Sequence, residues 1–190
     1  MGIIRLYEIC PEAEKAGTQN AVVTGVTDNT AEVKQGSIFV CVKGARFDGH
    51  SAAAEMLSKG AVMIVTDHDI KCGKQLVTDN TRLCLARLLN SFYGKPSEKL
   101  GLLAVTGTNG KTTTAHFVKH ILTTLGKKCG CVGTAGNDTC SGELKPSQHG
   151  TPTVPRATVL YSWLGEMVSN GADYCVMEAS SQALDQYRIG

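Results

Sequence analysis

The residues whose types and spacing indicate chemistry lie between an apolar strand pattern and a helical pattern. They are seven consecutive residues: Gly107, Thr108, Asn109, Gly110, Lys111, Thr112 and Thr113. Residues 102–105 before them form an apolar run suited to a buried parallel strand, and apolar residues recur at helical spacing over 117–125. Unpaired amides at a helix N-terminus hold anionic oxygens, and glycines let the main chain approach them closely. The loop therefore predicts a phosphate-binding cradle.

Two side chains have separate predicted roles in this cradle. We expect Lys111 to reach the β- and γ-phosphates of a nucleotide and the Thr112 hydroxyl to bind Mg²⁺. The general phosphate-loop pattern has a glycine where this chain has Val105, so the loop is a short variant. The alternative is a glycine turn that only joins the strand to the helix.

A carboxylate follows another apolar segment near the end of the chain. Glu178 comes directly after residues 174–177, at the carboxyl end of a strand expected to lie beside strand 102–105. A carboxylate there can coordinate Mg²⁺ directly or through water. Thr112 and Glu178 are thus the predicted metal ligands, and Lys111 and Glu178 the predicted catalytic residues. The alternative for Glu178 is a helix N-terminal residue stabilised by the helix dipole.

The chain as a whole has the pattern of two α/β domains. Residues 1–96 alternate strands, clearest at 37–42 and 61–66, with helical segments at 51–59 and 80–93. Residues 97–190 also alternate strand and helix, which indicates a parallel, helix-covered sheet. The predicted fold is a small N-terminal α/β domain followed by the first part of a phosphate-loop domain with a mostly parallel sheet. Residues 133–137 follow a strand directly, where open α/β sheets bind ligands, although a plain glycine turn is the alternative.

Composition limits the possible partners. The 190 residues are 42% hydrophobic and 19% charged, with a net charge of +2. Nucleic acid and membrane surfaces call for clustered basic charge, so neither is an expected partner. No apolar run approaches the roughly 20 residues that span a bilayer, and no export signal is visible, so we expect a cytoplasmic protein.

Cysteine and histidine patterns give no strong metal signal. The eight cysteines are scattered and are expected to be reduced thiols. Cys129 and Cys131 share one face of a predicted strand, and we interpret them as small buried residues rather than zinc ligands. His116 and His120 have the i,i+4 spacing of a ligand pair but lack the glutamate of HExxH, so a helix face touching solvent or neighbouring structure is favoured.

Taken together, these segments resemble the Mur ligase family. The resemblance rests on residues 33–40, 43–44, 48–50, 91–97, 106–113, 133–134, 153–155 and 177–184. The phosphate loop is shared with related enzymes such as the folylpolyglutamate synthetases. The segment containing Asp48-Gly49-His50 and the run Glu178-Ala179-Ser180-Ser181 followed by Arg188 are similar to the members that add the third amino acid to UDP-N-acetylmuramoyl-L-alanyl-D-glutamate.

The resemblance implies a reaction, its cofactors and a substrate site. It implies an ATP- and Mg²⁺-dependent ligase of peptidoglycan synthesis, acting as a monomer, that joins a diamino acid, lysine or meso-diaminopimelate, to the UDP-muramoyl dipeptide through an acyl phosphate. Residues 1–96 would bind the UDP substrate, and residues 97–190 would begin the ATP-binding domain. The residues matched to substrate contacts are Thr30, Thr153, Val154, Ser180, Gln186 and Arg188.

The chain departs from the family pattern in three segments and in length. Asn29-Thr30-Ala31 stands where the family has Asp-Ser-Arg, Val154 replaces a threonine and Gln182 a histidine. The family has three domains, so we expect a truncated amino-terminal part that is inactive in ligation alone. The alternatives are a nucleotide-binding module without ligase activity, or another ATP-dependent amide ligase such as a folylpolyglutamate synthetase or a cyanophycin-type ligase.

Overall fold

The computed structural model describes residues 4–10, 20–45, 47–145 and 153–190. These residues belong to two compact units that divide between Phe92 and Tyr93. In the described ranges, every helix is too short or too polar to cross a membrane. Each unit has its own sheet, and the predicted α/β fold with parallel strands is confirmed.

The first unit is built on a four-stranded parallel sheet with the order β3-β4-β5-β6, next to a separate antiparallel pair of β1 and β2. Its described elements are, in chain order, β1 (Ile4–Arg5), α1 (Leu6–Ile9), β2 (Val22–Val23), β3 (Gly25–Thr27), β4 (Ser37–Val40), a 3₁₀ helix (Gly49–Ala52), α2 (Ala53–Ser58), β5 (Met63–Thr66), β6 (Gln75–Val77) and α3 (Thr81–Phe92).

The central strands of the first unit are apolar because both of their faces are covered. Every residue of β4 and β5 is buried. Phe39 and Ile64 are register partners and belong to a buried cluster with Met56 of α2. Helix α3 contacts β3, β4 and β5 and buries Leu85 and Leu89. Strands covered on both sides read as continuous apolar runs, as these do.

Two features of the first unit refine the sequence-based expectations. Asn80 accepts a hydrogen bond from the Leu83 amide at 3.0 Å, so it caps the N-terminus of α3. The parallel pairs β3–β4 and β5–β6 are joined by segments 28–36 and 67–74, which contain no helix. Such short parallel connections are unusual, and the second one carries Asp67 and His68.

The second unit has a five-stranded sheet with the order β10-β9-β8-β11-β7, in which β8, β11 and β7 are parallel. Its elements are α4 (Pro96–Lys99), β7 (Gly101–Val105), α5 (Lys111–Thr124), β8 (Cys129–Val132), β9 (Asn137–Asp138), β10 (Leu144–Lys145), α6 (Ala157–Ser169), β11 (Tyr174–Glu178) and α7 (Ser181–Asp185).

Helices α5 and α6 cover opposite faces of this sheet. Ala115 of α5 packs with Cys129 and Val176. Gly130 points the other way because side chains alternate along a strand, and there it meets Met167 of α6. A Cβ on Gly130 would lie 2.6 Å from the Met167 sulfur, so only glycine lets α6 come this close. Cys129 and its same-face neighbour Cys131 are both buried, as predicted.

The prediction that strand 102–105 is buried is wrong for the described residues. Leu102 and Leu103 are 36% and 39% exposed. Within the described part of the unit, β7 pairs only with β11, so its other edge carries no neighbouring strand. The apolar residues Phe117 and Ile121 of α5 are exposed as well. An apolar run therefore predicted the strand and its parallel pairing but not its burial.

An ion pair joins α5 to β9 and gives a testable pH dependence. Lys119 Nζ lies 2.5 Å from Asp138 Oδ2, and both side chains are mostly buried. Burial alone would raise the pKa of Asp138, but hydrogen bonds from Lys119 and the Cys140 amide hold it below its ordinary value. A lowered folded-state pKa stabilises the protein above the unfolded-state value of about 4, and this contribution is lost as the pH falls through the folded-state value.

We expect Lys119→Met to lower the free energy of unfolding by about 1–2 kcal/mol at pH 7 and to lose less stability than the parent on acidification. Urea denaturation followed by circular dichroism at pH 7 and at lower pH measures both effects. Lys127→Met, at an exposed position beyond the same helix, is the control. Equal pH dependence in the parent and Lys119→Met would contradict the assigned role of the pair.

Candidate functional site

The predicted phosphate cradle has the backbone that a glycine loop requires. Strand β7 ends at Val105, and α5 begins at Lys111. Gly107 has φ +143° and Gly110, the N-cap of α5, has φ +77°. Residues other than glycine rarely adopt these backbone conformations. All residues from 107 to 110 are exposed. The first-turn amides of the 14-residue helix α5 therefore open onto an accessible loop at the positive end of its dipole.

The Lys111 side chain folds back over this loop. Its Nζ donates a hydrogen bond to the Gly107 carbonyl oxygen at 2.6 Å. The positive charge is thus held next to the loop backbone rather than extended into solvent. The flexible stem of lysine lets its ammonium group exchange this carbonyl for another acceptor.

Glu178 is the buried acceptor around which the second half of the site is organised. It is 1% exposed and ends β11, where it is the register partner of Val105 at the end of β7. Its Oε2 accepts from Thr112 Oγ1 at 3.0 Å and from Thr134 Oγ1 at 3.2 Å, while its Oε1 accepts from the Thr134 amide at 2.8 Å. The sequence-predicted pair of Thr112 and Glu178 is therefore in direct contact.

Thr134 belongs to the site, although sequence reasoning did not select it as a site residue. Its loop directly follows β8, and this position was the available signal. A Cβ on the preceding Gly133 would lie 2.2 Å from Glu178 Oε1, so glycine is required for the loop to pass the carboxylate. Asn137 stabilises the turn, since its Oδ1 accepts a hydrogen bond from the Gly133 amide at 3.2 Å.

The donor set at Glu178 fits a magnesium ion. Mg²⁺ prefers oxygen ligands at 2.0–2.1 Å in octahedral geometry, which places neighbouring ligand atoms about 3 Å apart. Thr112 Oγ1 and Glu178 Oε2 are 3.0 Å apart and lie beside the phosphate loop. One hydroxyl and one carboxylate, completed by phosphate oxygens and water, suit an ion that keeps much of its hydration shell.

The residues predicted to bind substrate in this unit form two linked groups. Thr153 Oγ1 lies 3.4 Å from Thr134 Oγ1 and so joins the Glu178 group. Arg188 forms the second group: it donates to Gln186 Oε1 from Nε at 3.1 Å and from Nη2 at 2.7 Å, and from Nη1 to the Val154 carbonyl at 2.9 Å. Because residues 153 and 154 are adjacent, the two groups meet there.

Two of the predicted substrate residues have clear structural roles. The Val154 side chain is fully buried, and the backbone carbonyl of Val154 accepts a hydrogen bond from Arg188. Ser180 is the N-cap of α7, and its hydroxyl oxygen accepts from the Ala183 amide at 3.2 Å. Their assignment as substrate-binding residues stays a prediction.

Thr30 lies in the first unit, at a turn that its neighbours hold in place. The Asn29 side-chain amide donates to Glu32 Oε1 at 2.9 Å, and Asn29 Oδ1 accepts from the Ala31 amide at 3.1 Å. Glu32 Oε2 accepts from Thr27 Oγ1 at 2.8 Å. The turn thus presents Thr30 half-buried between fixed neighbours.

Two family models match the chain over consecutive segments. Residues 22–104 match the model described as "Mur ligase family, catalytic domain", and residues 105–190 match "Mur ligase middle domain". The chain belongs to the Mur ligase family. The resemblance inferred from the phosphate loop and the flanking segments is therefore confirmed.

Individual Mur ligases align with nearly the whole chain. A "UDP-N-acetylmuramoyl-L-alanyl-D-glutamate--2,6-diaminopimelate ligase 2" from Clostridium acetobutylicum is 37% identical over 177 residues, which are 91% of this chain and 36% of the relative. A solved structure of a UDP-N-acetylmuramoyl-L-alanyl-D-glutamate--2,6-diaminopimelate ligase superposes with a TM-score of 0.79 at 26% identity, over 99% of this chain and 38% of that one. The chain thus spans about a third of the length of these Mur ligases.

A second solved Mur ligase bears on nucleotide binding. The MurF ligase from Thermotoga maritima, solved in complex with ADP, superposes with a TM-score of 0.53 at 25% identity, over 82% of this chain and 32% of that one. An adenine nucleotide is therefore bound by a structural neighbour of this chain.

One of the departures from the Mur ligase pattern has a local explanation. Asn29 stands where the family has aspartate, and its amide donates to Glu32, which a carboxylate at that position would repel. Gln182 stands where the family has histidine and lies exposed on α7. For the change of a threonine to Val154, the buried side chain shows only that the position accepts an apolar group.

The remaining cysteines and histidines of the sequence analysis lie outside this site. All eight cysteines are free thiols. Burial raises the pKa of Cys129 to about 11 and also raises that of Cys131, so both thiols stay protonated at neutral pH. His116 and His120 are exposed on α5.

Proposed function

We propose that residues 1–96 form the UDP-substrate-binding domain and residues 97–190 the first part of the ATP-binding domain of a Mur ligase. This ligase adds the third amino acid to UDP-N-acetylmuramoyl-L-alanyl-D-glutamate. The observation that carries the proposal is the contact of Thr112 with the buried Glu178 beside the phosphate loop. It supports binding of a metal–nucleotide complex by residues distant in sequence, which a glycine turn that only joins strand to helix would not require.

The chemistry begins with activation of a carboxylate, because a free carboxylate is a poor acyl donor. An oxygen of the D-glutamate γ-carboxylate attacks the γ-phosphorus of ATP, and the bond to the β-phosphate oxygen breaks to release ADP. The amine of the incoming amino acid then attacks the acyl carbon, loses a proton and displaces phosphate. Catalysis in such transfers is mostly positioning and charge neutralisation.

The residues of the chain would divide this work among them. Lys111 would neutralise charge on the β- and γ-phosphates, and Thr112 with Glu178 would hold Mg²⁺, which supplies charge stabilisation to the phosphate oxygens. Residues Gly107 to Thr113 would hold the phosphates through backbone amides and hydroxyls. Glu178 would serve as a metal ligand rather than a nucleophile, since it is buried and held by three hydrogen bonds beside Thr112 while a carboxylate has about four acceptor positions.

The muramoyl peptide would lie along the second group of residues. Arg188 is pre-oriented by Gln186 and the Val154 carbonyl, so a substrate carboxylate would meet a guanidinium that has already lost its rotamer freedom. Thr153 links this group to Glu178 through Thr134. Ser180 is the remaining residue of this unit that we propose to contact the muramoyl peptide. The names of the relatives support 2,6-diaminopimelate as the incoming amino acid, with lysine as the alternative.

The proposal predicts binding of both substrates by the 190-residue chain. We expect isothermal titration calorimetry to detect MgATP and, separately, the UDP-N-acetylmuramoyl dipeptide. Thr30→Ala should weaken the muramoyl nucleotide roughly three- to tenfold, the effect of one hydrogen bond worth about 1 kcal/mol. It should leave MgATP binding unchanged. Thr124→Ala, whose hydroxyl bonds only its own helix carbonyl among the described contacts, is the matched control.

The outcomes separate the candidate functions. A folded chain that binds MgATP but not the muramoyl dipeptide at millimolar concentration would contradict the ligase assignment and favour a different ATP-dependent ligase or a nucleotide-binding module. We expect no amide product from the chain alone when diaminopimelate is added, because the chain spans about a third of its relatives. Robust product would show that the catalytic site is complete within these 190 residues.

A further inference from the structure

Two histidines and an aspartate converge in the first unit. His50 lies in the 3₁₀ helix Gly49–Ala52, and Asp67 and His68 directly follow β5. One potential ligand atom from each of the three residues lies within 4.8 Å of the other two. The rings of His50 and His68 stack with their centroids 4.8 Å apart. Among the described residues this is the cluster whose atoms have the spacing of a metal site.

The hydrogen bond from His50 to Asp48 determines which nitrogen of His50 is available. His50 Nδ1 lies 2.6 Å from Asp48 Oδ1, and an ionised carboxylate only accepts, so Nδ1 carries the proton. In the neutral ring, Nε2 is then the bare nitrogen. A carboxylate behind a histidine is the usual outer-shell arrangement of a metal-binding imidazole, because it fixes the tautomer and raises the basicity of the ligand nitrogen.

The bare nitrogen faces a second acceptor without a hydrogen bond. His50 Nε2 is buried and has no hydrogen-bond partner among the described residues, although Asp67 Oδ1 lies 3.2 Å away. The His50 side chain is only 10% exposed, so water does not readily solvate this nitrogen. With His50 neutral, two acceptors at this distance repel each other unless a cation lies between them, and that cation is either a metal ion or the second proton of an imidazolium. Two atoms that bind one metal ion point their lone pairs at the ion and not at each other. The close approach of His50 Nε2 and Asp67 Oδ1 without a hydrogen bond agrees with such an arrangement.

The distance between His50 Nε2 and Asp67 Oδ1 agrees with a tetrahedral ion of the zinc class. Zn²⁺ binds histidine nitrogen and carboxylate oxygen at 2.0–2.2 Å, which places two ligand atoms about 3.3–3.5 Å apart. The separation of 3.2 Å between His50 Nε2 and Asp67 Oδ1 is close to that value. His68 Nδ1 lies nearer, 2.5 Å from the same oxygen, but its side chain is 62% exposed and can move outward.

We propose that His50 Nε2, the Asp67 carboxylate and His68 form a binding site for one divalent transition-metal ion, with Zn²⁺ as the best match. The fourth position faces solvent, since Asp67 and His68 are both exposed. Cys41 is not among the residues whose ligand atoms come together here. A bound ion ties the 3₁₀ helix Gly49–Ala52 to the end of β5 by a link independent of the sheet.

The test titrates ZnCl₂ into the 190-residue chain carrying His116→Ala, His120→Ala and His149→Ala, so that His50 and His68 are its only histidines. Long-range ¹H–¹⁵N NMR reads the histidine nitrogens. We expect saturable binding of one ion, with the bare-nitrogen signal of His50 Nε2 converted to a metal-bound one. Asp48→Asn should weaken Zn²⁺ binding about 10- to 100-fold, as outer-shell changes do. His68→Ala should weaken it at least as much without disturbing the core, because that side chain is exposed.

A control variant and a folding measurement distinguish loss of Zn²⁺ binding from loss of folding. Asp69→Asn alters a neighbouring exposed carboxylate that is not a proposed ligand, so it should bind Zn²⁺ like the background chain. Circular dichroism shows whether each variant is folded, and His68→Ala is the variant to interpret if His50→Ala does not fold. The proposal is wrong if the folded background chain shows no histidine-nitrogen shift with Zn²⁺, if His68→Ala and Asp67→Asn bind Zn²⁺ unchanged, or if His50 Nε2 is protonated in the Zn²⁺-saturated chain.

Discussion

Lys111→Ala is expected to weaken MgATP binding by the 190-residue chain roughly 10- to 100-fold, the loss of a charge-assisted hydrogen bond worth about 1.5–3 kcal/mol. Lys111 Nζ already lies 2.6 Å from the Gly107 carbonyl, at the centre of the loop. We propose that its ammonium group binds the β- and γ-phosphates of ATP. The defect should therefore be largest for ATP, smaller for ADP and absent for AMP.

Lys111→Ala should also slow turnover in a chimera in which this chain is followed by the remaining part of the Clostridium acetobutylicum relative. We expect the rate to fall by roughly 10²-fold or more, about 3 kcal/mol of transition-state stabilisation. Lys127→Ala, at an exposed lysine beyond the same helix, is the matched control and should behave like the parent. Near-parental affinity for ATP and near-parental turnover in Lys111→Ala would refute the phosphate-cradle assignment.

The arrangement of Glu178 beside the phosphate loop was predictable from local patterns. Strands that alternate with helices become parallel neighbours, and parallel neighbours end at the same edge of a sheet. An apolar segment ending in a carboxylate therefore predicts an acidic group next to the loop that follows the neighbouring strand. The register of Glu178 with Val105 has this geometry. The glycine positions in the loop were predictable for the same local reason, since their backbone conformation is specific to glycine.

Contacts between loops were not predictable in the same way. Thr134 bonds Glu178 through both its amide and its hydroxyl, whereas its position after β8 indicated a ligand-binding loop but not this contact. The meeting of His50 with Asp67 depends on the register of β4 with β5 and on a connection to β6 without a helix. Both are properties of tertiary packing, which periodicity does not contain.

Burial was predicted correctly for Cys129 and Cys131 but not for strand β7. The run 102–105 is wholly apolar. Apolar residues make burial of the strand favourable, but they do not show that a helix or strand is present to bury it. Leu102 and Leu103 are partly exposed in the described residues for this reason. Val154 shows the opposite case: it was selected as a substrate residue, and its side chain is fully covered.

Gly133→Ala is expected to lower the free energy of unfolding of the second unit by about 2–3 kcal/mol, since overpacking and lost charge-assisted hydrogen bonds each cost about 1–3 kcal/mol. The added Cβ would lie 2.2 Å from Glu178 Oε1 and 2.9 Å from its Cδ. Glu178 is buried, so its carboxylate can move only by giving up Thr112 and Thr134. Displacing a metal ligand by about 1 Å can cost 10²-fold in function, so the Mg²⁺ dependence of ATP binding should be lost as well.

A double-mutant cycle assigns this effect to one contact. Glu178→Ala removes the atoms that the new Cβ would meet, so its cost should be at least about 1 kcal/mol smaller in the Gly133→Ala background than in the parent. Gly25→Ala is the matched glycine control, because a Cβ there has no heavy atom within 4 Å and its backbone does not require glycine. Urea unfolding gives the stabilities, and ATP titrations with Mg²⁺ or with EDTA give the metal dependence. Additive costs in the cycle, or an unchanged ratio of the two ATP affinities in Gly133→Ala, would show that the loop does not hold Glu178 in place for a metal ion.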